Sequence, residues 1–172
     1  MLFCKKTIIL FSLLTLFGCG FQPILGTRTG SEIRRVVGYI EISPIADRIG
    51  QQLRNHLVHD IMPLGGSRVP KYKLIVTLTE SKQNLAIKKS EIATRANLRI
   101  KASYKIILKS NRKQITQGHS QMTTSYNILN QTFSTLMAEK NARKRAVREI
   151  SAEIASKIYG FFRLNRDKIK EF

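Results

Sequence analysis

The chain has 172 residues and a formal charge of +19, from 30 Lys and Arg against 11 Asp and Glu, with 42% hydrophobic residues and no Trp. That is single-domain size with enough apolar content for one real core, so the unusual feature is charge. A surface this basic predicts an anionic partner, and 2 Cys with 3 His leave little for metal or nucleophile chemistry.

Met1 to Lys6 is a short leader carrying Lys5 and Lys6, and Thr7 to Phe17 is an apolar run without a charge. This is the two-part layout of a secretory signal. The run is too short to cross a hydrocarbon core of about 30 Å, which takes roughly 20 helical residues. Leu16-Phe17-Gly18-Cys19 then resembles a lipobox, with an aliphatic residue three before the cysteine and a small one just before it. Residues 1–18 are therefore read as a signal peptide, and Cys19 as the attachment point of a covalent acyl lipid. Cleavage before Cys19 removes Cys4 and alkylates Cys19, so the mature protein has neither a free thiol nor a disulfide. It also takes Lys5 and Lys6 from the formal +19 and leaves about +17. Several acyl chains on one cysteine anchor firmly where a single chain does not. Gly20 stands where an Asp would mark retention in the inner membrane, which is compatible with delivery to the outer one.

Residues 19–31 form a lipidated tether rich in Gly, Pro and small residues. Ile33 to Ile42, with Val36, Val37, Tyr39 and Ile40, is expected to be a first strand. Ser43-Pro44 is a good helix start, Ser as N-cap and Pro at the first helical position. Ile45, Ile49, Leu53, Leu57 and Ile61 follow at four-residue spacing on one stripe. Pro63-Leu64-Gly65-Gly66 ends that helix. Lys71 to Glu80 and Asn84 to Lys88 are strand-like, and Ala96 to Lys109 alternates cleanly. Ala96, Leu98, Ile100, Ala102, Tyr104, Ile106 and Leu108 take its dry face; Asn97, Arg99, Lys101, Ser103, Lys105 and Lys109 take a basic, wet one. After a turn at Ser110 to Lys113, Gln114 to Ile128 reads as another strand, which makes an antiparallel meander. From about Thr132 a long helix begins, with Val147, Ile150, Ile154, Ile158 and Phe161 on one stripe and Phe133, Leu136 and Met137 starting the same face. Residues 166–172 are a frayed tail.

The predicted fold is α+β: a four-stranded, mostly antiparallel sheet with two amphipathic helices packed on one face, in the order β-α-β-β-β-α, all within a single domain over 32–165. No Gly-rich phosphate loop, nucleophile elbow or metal-ligand cluster stands in the mature chain, so the expected function is not enzymatic and no metal or other cofactor is called for. His56 and His59, three apart on the first helix, have no evident third ligand. Glu149 and Glu153 are expected to pair with neighbouring cations along the last helix.

Taken in order, Cys19-Gly20-Phe21-Gln22-Pro23-Ile24-Leu25-Gly26, Arg48-Ile49-Gly50-Gln51-Gln52-Leu53, Leu85-Ala86-Ile87, Thr94-Arg95, Ala102-Ser103-Tyr104, Ser125-Tyr126-Asn127, Ala138-Glu139 and Arg145-Ala146 resemble the LPS-assembly lipoprotein family LptE, in its alphaproteobacterial branch. The likeness covers nearly the whole mature chain and rests on order and spacing, since each motif is short. It implies two helices on a four-stranded sheet, a lipid-anchored place on the periplasmic side of the outer membrane, partnership with the β-barrel LptD as plug and assembly factor, and contact with lipopolysaccharide during its insertion into the outer leaflet. Candidate anion contacts are Lys88, Lys89 and Arg95 around the connection between the second and third strands, with Arg99 and Lys101 beside it; Arg143, Lys144, Arg145 and Arg148 are weaker ones. Phosphate contacts by Lys and Arg are the chemistry expected there. A periplasmic carrier holding an anionic lipid in a cavity is the alternative. Nucleic acid is disfavoured as a partner by the export signal and by the lack of aromatics interleaved on the basic strand face.

Overall fold

The computed structural model describes residues 28–63, 65–87 and 93–166. The signal peptide, Cys19 and the first part of the tether lie outside them, as do Lys88 and Lys89. The chain falls into two compact units, Met1–Ser31 and Glu32–Phe172. The elements are α1 (Arg28–Val37), β1 (Ile40–Ile42), α2 (Asp47–Ile61), β2 (Tyr72–Ile87), β3 (Ala93–Leu108), β4 (Gln114–Asn127) and α3 (Thr132–Leu164).

The four strands form one sheet in the order β1-β2-β3-β4. β1 runs parallel to β2, matching Ile40 with Tyr72 and Ile42 with Leu74. β2, β3 and β4 make the expected antiparallel meander, in which Tyr104 stands opposite Val76 on one side and Gly118 on the other. β3 alternates as its sequence predicts: Leu98, Ile100 and Ile106 are fully buried while Arg99, Lys101 and Lys105 are exposed. On the dry side they meet Leu53 and Leu57 of α2 and Ile150, Ile154 and Ile158 of α3 in one core. Each such side chain contributes about 1.5–3 kcal/mol by leaving water. Phe162 fills the end of the core edge-on to Tyr72, with ring centroids 5.3 Å apart; the expected stripe residue Phe161 is half-buried beside it.

Four expectations are corrected. The segment predicted as a first strand is helical up to Val37, and only Ile40–Ile42 is strand. Ile33 and Val37 are both buried, and their spacing of four fits one helix face as well as it fits a run of β-branched residues. Residues 28–31, assigned to the tether, belong to α1. The second helix starts at Asp47 with Ala46 before it, not at Ser43-Pro44. Ser43 extends β1 instead, its N–H donating to the Leu74 carbonyl at 2.9 Å, and Asp47 turns the chain into the helix with φ 66°, a conformation Asp tolerates better than most residues. Finally, Phe133 and Leu136 are 72% and 59% exposed and do not join the core stripe of α3.

Two polar ties lock α2 to α3. Ser151 donates to Asp60 at 2.6 Å, and the Tyr159 hydroxyl donates to the Ile61 carbonyl at 2.9 Å, both beside the end of α2. The carbonyl would otherwise be an orphan of the helix terminus. At the far end of α3, Asn165 closes the helix by donating to the Phe161 carbonyl, and Arg166 pairs with Glu32 at 2.6 Å.

Candidate functional site

The side of the sheet turned away from α2 and α3 is set by strand parity. On β3 it carries Arg95, Arg99, Lys101 and Lys105, all exposed, with Asn97 and Ser103 between them. From Arg95 to Lys105 the row is about 33 Å long, at 3.3 Å per residue. The register surrounds these cations with neutral side chains: Ser81, Thr79 and Ile75 across β2, and Thr123, Gln121 and Gln117 across β4. Half-buried Lys73 adds a cation at the β1 end. Along the middle lies an open concavity of about 550 Å³, lined by Thr77, Lys101, Ser103, Lys105, Gln117 and His119 among others.

The face is basic partly because the carboxylates are engaged elsewhere. Glu80 and Glu139 pair with Arg143 and Lys82 on the helix side of the sheet. Glu153 pairs with Lys157 at 2.6 Å and accepts a hydrogen bond from the buried Ser120. Its carboxyl lies below its ordinary value, through the Lys157 contact first and the Ser120 hydroxyl second. Among the described residues Glu41 is the one carboxylate on the open face. It sits on β1 at the margin, tied to Lys109 at 2.6 Å, and that hydrogen bond holds it below its ordinary value. No ion pair is formed by Arg95, Arg99, Lys101 or Lys105 with any described residue. Four like charges at strand spacing repel one another unless an anion lies over them.

The sequence candidates divide accordingly. Arg95, Arg99 and Lys101 are brought onto one face; Lys88 and Lys89 lie outside the described residues. Lys105 and Lys73 belong to the same face and were not singled out. The alternation of β3 was signal enough for Lys105, whereas placing Lys73 needs the inter-strand register. The helix candidates face the other way. Arg143 is spent on Glu80 and Glu139, while Lys144, Arg145 and Arg148 line a groove of about 220 Å³ with His56. Those cations surround His56 instead of the acidic or imidazole partners a metal site would use.

No protein-family model matches the chain, and no curated protein matches it in sequence. The fold, however, is shared. A Caulobacter crescentus protein described as a lipoprotein superposes with a TM-score of 0.62 at 18% identity, over 76% of this chain and 96% of its own. A minor lipoprotein from Acinetobacter baumannii gives 0.54 at 18% identity, over 70% and 88%. Lipoprotein B from Nitrosomonas europaea gives 0.52 at 12% identity, over 72% and 85%. Most of this chain and most of each counterpart take part, so the likeness is one of fold.

Proposed function

We propose that the chain is a lipid-anchored outer-membrane protein that partners an LptD-like β-barrel and binds lipopolysaccharide as it enters the outer leaflet, without catalysing a reaction. The observation that carries this reading is the row Arg95, Arg99, Lys101 and Lys105 on an open sheet face with, among the described residues, one marginal carboxylate. Phosphorylated sugars of a lipopolysaccharide are multivalent anions, and a row of cations spaced along a strand matches a ligand whose phosphates are themselves spaced. Each charge-assisted contact contributes about 1.5–3 kcal/mol when water is excluded. The lipobox ending at Cys19, the fold in common with proteins named lipoproteins and the ordered motifs of the LptE resemblance support the same setting.

The lipid-carrier alternative loses support from the packing. The apolar side of the sheet is occupied by Leu53, Leu57, Ile150, Ile154 and Ile158, so an acyl chain would have to displace core side chains to lie there.

Affinity purification of the tagged full-length protein from outer membranes, with mass spectrometry of bait and prey, tests the proposal. The expected bait starts at Cys19 with added acyl chains, and the expected prey includes a large β-barrel. An unmodified chain starting at Met1, or recovery without a barrel, would overturn it.

A further inference from the structure

β4 is an edge strand, and its composition is anomalous. Across its 14 residues, Gln114 to Asn127, it contains no Asp, Glu, Lys, Arg or Pro, in a chain whose charged content of 24% would place about three charges there. Edge strands that must stay unpaired are protected by Lys, by Pro, by bulges or by shortness. The other edge has such protection: β1 covers Tyr72 to Leu74, and Glu80 and Lys82 stand further along β2. β4 is long, and the irregularity in its pairing lies near its start, opposite Ile106 and Ile107. From Thr116 to Asn127 its ladder to β3 runs without a further shift, so alternate residues turn their backbone groups to the outer side, where among the described residues Lys157 engages the His119 carbonyl.

Antiparallel pairing turns the N–H and C=O of alternate residues outward. Lys157 donates to the His119 carbonyl at 2.8 Å, which marks the odd-numbered residues as the outward set. That leaves Gln117, Gln121, Thr123 and Ser125 with outward backbone groups and uncharged polar side chains that cross-strand neighbours tolerate.

We propose that β4 is a strand-addition site, which receives an extended segment of an acidic partner polypeptide as a fifth strand. The acidic character follows from position. The sheet-face side chains of an added strand would lie two strand spacings, about 10 Å, from the cation row of β3, within roughly one Debye length at 0.1 M salt. Carboxylates there are attracted and Lys is repelled. The same row argues against a second copy of this chain, because β4-to-β4 pairing would set two cation rows about three spacings apart on two molecules of formal charge +19 each before processing. Main-chain hydrogen bonds would provide affinity, and the alternate side chains specificity.

The test uses the full-length protein in neutral detergent micelles and a nine-residue peptide of alternating Thr and Glu. Its controls are the Thr/Lys version and an N-methylated Thr/Glu version that keeps the charge and loses the donors. The expected result is at least a tenfold slowing of amide exchange within Gln114 to Asn127, with the Thr/Glu peptide only. Gln121→Pro removes an outward N–H, which an edge strand can lose, and should weaken peptide binding about tenfold while Tm stays within a few degrees; Thr123→Lys, which restores an edge charge, should do the same. Equal binding of the N-methylated peptide, protection on β2 instead of β4, or concentration-dependent dimerisation through β4 would each overturn the proposal. None of these outcomes bears on whether lipopolysaccharide binds the open face.

Discussion

Arg143 of α3 grips Glu80 of β2 with two parallel hydrogen bonds, Nε to Oε2 at 2.9 Å and Nη2 to Oε1 at 2.7 Å. The same guanidinium reaches Glu139 one helical turn away at 2.6 Å, and Lys82 reaches that carboxylate from the strand at 2.5 Å. One side chain thereby ties the outer half of the β2–β3 hairpin to the long helix. Arg143→Ala should lower unfolding free energy by about 1–3 kcal/mol, because two partly buried carboxylates lose a charged partner. Arg143→Lys should recover less than half, since an ammonium cannot make the bidentate pair. Urea denaturation of the three proteins measures both; equal stability of Arg143→Lys and the parent would show the fork geometry to be irrelevant.

Glu139 makes this tie acid-sensitive. Burial pushes its carboxyl up, but the hydrogen bonds from Lys82 and Arg143 outweigh that and hold it below the ordinary value of 4.5. A carboxyl depressed in the folded state adds stability that is complete above its unfolded pKa and lost as pH falls through the folded one. Stability should therefore be flat in this respect near neutrality and fall as pH drops below about 4.5. In Glu139→Gln that component of the acid slope should be missing and the protein less stable at pH 7. A parallel acid limb in both proteins would contradict the assignment.

Charge on the open face should matter for binding and not for folding. The double variant Arg99→Ala, Lys101→Ala removes two exposed side chains without a described ion-pair partner, so its stability should stay within about 1 kcal/mol of the parent. Its affinity for phosphate-bearing lipopolysaccharide should fall about tenfold or more, with a shallower dependence on salt. Dephosphorylated lipopolysaccharide should distinguish the two proteins far less.

Two glycines are placed for close contact. A Cβ on Gly118 would stand 2.7 Å from the Tyr104 hydroxyl oxygen and 2.8 Å from Cζ, and one on Gly50 would stand 2.7 Å from Ile45 Cγ2 and 3.0 Å from its carbonyl carbon. Gly118→Val should cost about 1–3 kcal/mol by overpacking. Gly50→Ala should cost a comparable amount despite the better helix propensity of Ala, because backbone lies opposite. Thermal melts of each single variant are sufficient. A gain in Tm for Gly50→Ala would mean that Ile45 moves aside at no cost.

The alternation of Ala96 to Lys109 was legible because one face is dry and the other wet along its whole length, so that parity alone located Arg99, Lys101 and Lys105. What resisted was local context. Ile33 to Ile42 holds apolar residues at spacings that serve a helix or a strand, and only the burial of Ile33 and Val37 on one side decides for α1. Ser43-Pro44 has the chemistry of a helix start, yet the bond from Ser43 to Leu74, sixteen strand residues of β2 being available to pair, draws it into the sheet. Phe133 and Leu136 keep the period of the buried stripe but stay exposed, since periodicity does not reveal where the covering elements stop. Lys73 depended on register, and the missing charges of β4 become informative only once the strand is known to be an edge.

The length of α3 sets a distance. Its 33 residues at 1.5 Å each make a rod of about 50 Å, with Glu32 fastened to Arg166 just past one end and exposed Phe133 and Leu136 at the other. Because β4 is fastened along that rod, from Tyr126 on Glu139 to Lys157 on His119, and β2 joins it through Glu80 on Arg143, the helix cannot shift along the sheet without breaking several contacts together. Exposed Phe133 and Leu136 are therefore held at a fixed distance from the Glu32–Arg166 pair, one helix length away.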